Sequence, residues 1–432
     1  MNKNKNTICT IPWNHQATYQ NGDYGICCQC IYTSGGRMLT DGKPVNVLRD
    51  ELTEVRNHPT LIELRRSMLN GEKSDLCKLC WDEEDLGLVS KRQQQQNTYH
   101  ETLQKILDLE QDSGYIDVNE FPIQYLDLRL GNLCNMRCRF CGPGDSSLWF
   151  EEIYEMGNPI IKFGKIENSY KIEKVANTYK VVGDDFQYYN SEKFNKDIQK
   201  ILPNINRIYF TGGEPLINKK HYEILDFCID NGFAKNITLE YNTNGTTLNK
   251  NLLGQWRQFA SVVVCFSIDG MDDLADYIRN PSKWDVIKQN MYNLDNADIP
   301  QLWCTTNVTV NIFNVKHFLD MLDWYHSAGF KRFHHKLLWH RLVGPEFLNI
   351  QVLPPETKKE ITALYDNYIN KSTINNIREQ IYSIIDYMNE TDLTRHLPRT
   401  KLMIKTLDTS RNQRLADYVP WLAEVLFDSE TT

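Results

Sequence analysis

Three cysteines fall within the eight residues CNMRCRFC, at positions 134, 138 and 141. This stretch constrains the chain more than any other. Three is an odd number for a disulfide framework and one short of a closed tetrahedral zinc site. Thiolates at these spacings can wrap three corners of a cuboidal iron–sulfur cluster and leave one iron without a protein ligand. Soft thiolates select iron–sulfur or zinc over hard cations. On spacing alone, a zinc ion completed by a fourth side chain is the alternative.

The chain has 432 residues, enough for two or three domains. Of its twelve cysteines, nine lie in three groups before residue 142. These are Cys9 with Cys27, Cys28 and Cys30, then Cys77 with Cys80, then Cys134, Cys138 and Cys141. The N-terminus, MNKNKNTICTIPW, has no apolar stretch like a signal peptide, and no apolar run is long enough to cross a bilayer. A cytoplasmic location is therefore expected, where clustered cysteines point to metal or redox chemistry rather than disulfides. Cys228, Cys265 and Cys304 stand singly in apolar segments and read as core. A net charge of −8 with no basic cluster disfavours nucleic acid as the main partner.

From about residue 121 short apolar runs alternate with helical patterns. Strands are expected at 125–130, 207–210, 236–241, 261–268, 303–310 and 331–339. Helices between them include KHYEILDFCIDNG, closed by Asn231-Gly232, and VKHFLDMLDWYHSAG, stopped by Gly329. This alternation argues a parallel sheet with right-handed crossovers, whose ligands bind at the carboxyl ends of the strands. The loops at those ends are the cysteine loop, TGGEP (211–215), NTNGT (242–246), DG (269–270) and NIFN (311–314). One of His334 or His335 is expected to face the interior of the sheet, because side chains alternate along a strand. Residues 341–432 read as amphipathic helices, the first starting at Pro354-Pro355.

CNMRCRFC followed by TGGEP resembles the radical S-adenosylmethionine (SAM) superfamily, over roughly residues 121–340. The resemblance implies an α/β fold, a partial (β/α)6 TIM-like barrel. It implies a [4Fe–4S] cluster on Cys134, Cys138 and Cys141, with SAM chelated to the open iron. Reductive cleavage of SAM to methionine and a 5′-deoxyadenosyl radical, followed by hydrogen abstraction from a substrate, is the implied reaction. Gly212, Gly213 and Glu214 resemble the motif that holds the SAM amino group. Ser267 and Asp269 look like ribose partners, with Asn242 and Asn244 lining the same pocket. Arg279 is implied to meet the SAM carboxylate. Val310 and Asn311 are expected on the adenine side, and Phe140 is expected to offer its backbone to the adenine.

The earlier cysteines read, on spacing alone, as a zinc module. The order cysteine, G-x4-C (Gly22 to Cys27), then a C-x2-C pair resembles the auxiliary-cluster modules called SPASM or twitch. In commoner members that module follows the barrel; here it comes first. The resemblance implies a second [4Fe–4S] cluster on Cys9, Cys27, Cys77 and Cys80, with Cys28 as an alternative to Cys27 and Cys30 as a spare. The expected organisation is thus an auxiliary-cluster module at 1–95, a helical linker at 96–120 (helix over 98–111), the barrel at 121–340 and C-terminal helices at 341–432. Relatives with such modules mostly modify peptides or proteins, and a peptide or protein substrate is favoured here. The expected electron donor is a flavodoxin or ferredoxin. The alternatives are a dehydrogenase of a sugar or other small molecule, a nucleic-acid-modifying enzyme, and a non-catalytic iron–sulfur or zinc regulator.

Overall fold

The computed structural model describes residues 6–30, 36–85, 89–109, 113–157, 171–183, 185–374 and 377–427. Strands among them, in chain order, are β1 (His15–Thr18), β2 (Tyr24–Gly25), β3 (Leu39–Thr40), β4 (Lys43–Pro44), β5 (Tyr125–Arg129), β6 (Ile172–Val175), β7 (Thr178–Val181), β8 (Arg207–Thr211), β9 (Thr238–Thr243), β10 (Ser261–Ser267), β11 (Leu302–Val310) and β12 (Leu338–Arg341). The chain forms two compact units. The first comprises Met1–Leu133, Gly183–Tyr241 and Asn249–Val262; the second comprises Cys134–Val182, Asn242–Leu248 and Val263–Thr432.

In the first unit the strand order is β9-β8-β5-β1-β2. Strands β1, β5, β8 and β9 run parallel, and β2 runs antiparallel along β1. Alternation sorts the side chains into two faces. Leu126, Leu128, Ile208, Phe210 and Leu239 are buried on one. Tyr125, Asp127, Arg129, Arg207, Tyr209 and Glu240 occupy the other. The helix Lys219–Asp230 joins β8 to β9, capped by the Asn218 side chain and closed at Gly232 with φ +73°.

The sequence reading did not include β1 and β2. The segment HQAT carries no apolar alternation, yet all four residues are buried. It pairs with β5 in the register His15 with Tyr125 and Ala17 with Asp127. The polar run RQQQQN also proves to be structural. It lies in the helix Lys91–Thr98, which starts with a Ser90–Gln93 capping box. Arg92 Nη1 and Gln96 Nε2 both donate to the Ile8 carbonyl, at 3.0 and 2.6 Å. The expected linker helix at 98–111 is His100–Leu107, set off at Tyr99 from the preceding helix Lys91–Thr98; its expected end at 110–111 lies outside the described residues.

In the second unit the order is β12-β11-β10, with β12 parallel to β11. The expected strand at 331–339 is corrected: only Leu338–Arg341 is strand, and Phe333 makes a single bridge to Cys304. Two side chains divert the backbone donors. Asp295 Oδ1 accepts the N–H groups of Lys331 and Arg332, both at 2.8 Å. His334 Nδ1 accepts the N–H of Lys336 at 3.2 Å. His334 and His335 are consequently both exposed, their rings 4.3 Å apart, and neither faces an interior. The C-terminal helices start at Pro355, as expected, and run Pro355–Lys371, Ile377–Glu390, Leu397–Arg411, Leu415–Tyr418 and Pro420–Phe427. No helix among the described residues is long and apolar enough to cross a membrane.

Candidate active site

The cysteine loop belongs to the second unit and has no helix or strand of its own. Its shape comes from tethers. Arg137 N donates to Asn280 O at 2.6 Å and Arg139 N to Ile278 O at 2.8 Å, a two-rung ladder with the segment after the helix Asp272–Ile278. Asn135, next to Cys134, donates to Thr246 Oγ1 at 2.9 Å and accepts from Asn244 Nδ2 at 2.8 Å. The third tether is Arg139, whose side chain is fully buried. Its Nε donates to Tyr277 O at 2.7 Å, and its Nη2 reaches Asp408 at 2.7 Å and Gln413 at 2.9 Å. The guanidinium also lies 3.6 Å from the centre of the Tyr277 ring.

The loop closes on itself with Cys141 N donating to Cys138 O at 3.1 Å. The Cys141 thiol donates to Cys138, which lowers the Cys138 pKa, and the Arg279 guanidinium adds to the effect. Arg279 Nη1 stands 3.9 Å from Cys138 Sγ, and its guanidinium lies 5.4 Å from the Phe140 ring. The thiolate is therefore favoured at Cys138, while the same contact, with burial, pushes Cys141 up.

Asp269 and Arg279 are brought together, in contact with each other. Asp269 is almost fully buried, and burial raises its pKa despite Arg279. Its Oδ2 accepts from Arg279 at 2.5 Å and its Oδ1 from Thr309 N at 2.6 Å. The carboxylate thus fixes the arginine fork and joins the end of β11 to the turn after β10. Asn311 is used locally: Nδ2 donates to Thr309 O and Oδ1 accepts from Phe313 N. Val310 is wholly buried, and Ser267 is half-buried at the end of β10. Asn242 is half-buried at the carboxyl end of β9; Asn244 accepts from Thr246. Asn314, in the NIFN loop but given no role by the sequence reading, donates to the carbonyls of Asp269 and Thr309, both at 3.0 Å.

In the first unit, Gly212 and Gly213 follow β8. Gly212 has φ +111°. A Cβ at Gly213 would stand 2.2 Å from the Leu133 carbonyl, so only glycine fits there. Glu214 N donates to Leu133 O at 2.8 Å, and the buried Glu214 carboxylate caps Leu216 N at 3.1 Å. The GGE turn is therefore seated against the residue that precedes Cys134.

The N-terminal cysteines also converge in the first unit. Cys9, Cys27, Cys30, Cys77 and Cys80 border one cavity, with Ile11, Met68, Lys91 and Arg92 among its other walls. Cys28 is not among the lining residues, so the cavity is bordered by Cys27 of that pair. Cys30 Sγ lies 3.3 Å from Cys27 Sγ and 3.2 Å from Leu76 O. Among the described residues, no three side chains converge on a point as the ligands of a single ion do; the thiols border a shared space instead. The thiols differ in acidity: the contact from Cys30 lowers Cys27 to about 7. Burial, then the charge of Cys77, raises Cys9, and burial pushes Cys80 up to about 12. A bound metal centre would supply the missing positive charge.

The family model described as the radical SAM superfamily matches residues 128–325. A Methanocaldococcus jannaschii protein, Uncharacterized protein MJ0907, is 27% identical over 208 residues, covering 44% of this chain. The match spans 65% of that relative's length. Solved structures similar to the chain include anSMEcpe with bound AdoMet, at 14% identity and a TM-score of 0.36, covering 57% of this chain and 60% of that one. Another is Streptococcus suis SuiB bound to S-adenosylmethionine, at 11% identity and a TM-score of 0.32, covering 76% and 67%. The family match falls on the strands and loops just described.

Proposed function

We propose that the chain is a radical SAM enzyme acting on a peptide or protein. The cysteine loop carries this reading: three thiols on a tethered loop beside Arg279, within the segment that matches the superfamily. Cys134, Cys138 and Cys141 would hold a [4Fe–4S] cluster. When bound, that group supplies the electron that cleaves SAM to methionine and a 5′-deoxyadenosyl radical. Arg279, fixed by Asp269, offers its fork to the SAM carboxylate. The backbone at Gly212 and Gly213, with Glu214, receives the SAM amino group, while Ser267, Asn242, Asn244, Val310, Asn311 and Phe140 line the nucleoside side. The conserved charge of Arg279→Lys does not replace the planar fork. SAM affinity measured by equilibrium dialysis is expected to fall about tenfold or more in that variant, about 1.4 kcal/mol; unchanged affinity removes Arg279 from the SAM site.

Cys9, Cys27, Cys77 and Cys80 would hold a second cluster, with Cys30 as a fifth thiol on the same cavity. A flavodoxin or ferredoxin is the proposed electron donor. The first experiment is anaerobic reconstitution with iron and sulfide, then SAM and dithionite, reading 5′-deoxyadenosine by mass spectrometry. The wild-type chain is expected to form it and Cys138→Ala to form none. Absence of product from a chain carrying its full iron would overturn the reading.

A further inference from the structure

On the polar face of β1 and β5, several buried side-chain atoms make no hydrogen bond. Asp127 is completely buried on β5, and neither of its carboxylate oxygens is hydrogen-bonded. Beside it on β1, in register, is Ala17. His15, two residues earlier, is 6% exposed, its ring tilted against that of Tyr125 with centres 4.5 Å apart. Burial holds its ring neutral; its Nδ1 is unpaired, while its hydrogen bond goes to the backbone of Ile26. Tyr19, just past β1, is 4% exposed and its hydroxyl is also unpaired.

A buried carboxylate without a hydrogen bond costs stability, and a fold rarely keeps one without use. Its neighbours narrow what it receives. Arg129 Nε stands 3.8 Å from Asp127 Oδ1, too far for a hydrogen bond. The Arg129 guanidinium lies 5.3 Å from the Tyr19 ring, and Lys91 lies 5.4 Å from the Tyr125 ring. Glu240, the other acid on this face, is committed to Arg207 at 2.5 Å. Two cations therefore already serve Asp127, and a cationic ligand would add a third without compensation. A neutral group that donates on one side and accepts on the other satisfies the set. Its N–H meets Asp127 and His15 Nδ1, and its carbonyl meets Tyr19 and Arg129.

We infer that Asp127, with His15 and Tyr19, forms a substrate subsite on the polar face of β1 and β5 that binds an amide unit. This rests on the reading of the substrate as a peptide or protein. It makes Asp127 a specificity residue that holds the substrate by its backbone or by a carboxamide side chain.

The test uses the full chain reconstituted with iron and sulfide, and a probe pool of N-acetylated, C-amidated tripeptides at millimolar concentration. Thermal midpoints are read with and without the pool. The wild-type midpoint is expected to rise with the pool. Asp127→Asn removes the carboxylate charge while keeping the side chain's shape, and is expected to bind the pool at least tenfold more weakly. Ala17→Val adds bulk beside the carboxylate while leaving its charge, and is expected to lose the same response. Wild-type binding that both variants retain sinks the subsite alone. A wild-type chain that ignores the pool sinks the peptide reading and the amide assignment together.

Discussion

Changing Cys134, Cys138 and Cys141 together to alanine is expected to leave about four irons per reconstituted chain, roughly half the wild-type content, and to abolish 5′-deoxyadenosine formation. The two thiol sets support this separation. The N-terminal five border a cavity within the first unit, whereas the loop cysteines are held by tethers within the second. Neither set borrows a ligand from the other, so removing one leaves the other its full donor count. Iron and sulfide analysis beside electron paramagnetic resonance reads the outcome. Iron near zero with zinc retained would turn the N-terminal thiols into a zinc site and remove any electron-accepting role from them.

The second large effect is expected at Asp408. Its carboxylate faces the fully buried Arg139 at 2.7 Å and also receives Tyr277 Oη at 3.0 Å and Leu415 N at 2.7 Å. Asp408→Ala leaves the Arg139 charge buried with neutral partners only. Breaking a buried pair this way costs about 3–5 kcal/mol. Arg139→Leu is expected to cost less, because Asp408 is partly exposed and keeps two donors. Arg139 lies between Cys138 and Cys141, so Asp408→Ala should also shed iron from the loop on gel filtration while the N-terminal iron stays. A variant that melts like wild type and keeps all its iron would show that the C-terminal helix plays no part in holding the loop.

How much of this the sequence revealed depended on distance along the chain. The cysteine loop and GGE turn are local motifs, and β5, β8, β9, β10 and β11 announce themselves by alternation. Arg139 does not: its ion-pair partner is 269 residues away, and nothing near it signals burial. Asp269 and Arg279 are ten residues apart and were both legible as site residues, but their mutual contact emerges only when the turn after β10 closes. The sixth strand was misjudged because KRFHHKLLW has strand composition, while Asp295 and His334 withdraw the N–H groups a ladder needs. The strand β1 was missed for the opposite reason, since His15 and Gln16 read as loop until β5 buries them.

That strand has a practical consequence. A protein trimmed to begin at the barrel motif would lose β1 and with it the neighbour of β5. The backbone of Tyr125–Arg129 would become an open sheet edge, lined on one face by Leu126 and Leu128 and carrying no proline to blunt it. Such a fragment should self-associate through that edge and collect in inclusion bodies. The cysteine-rich region is therefore no detachable accessory for expression or evolution to shuffle freely: it brings its own strand, and the sheet stays soluble only in its company.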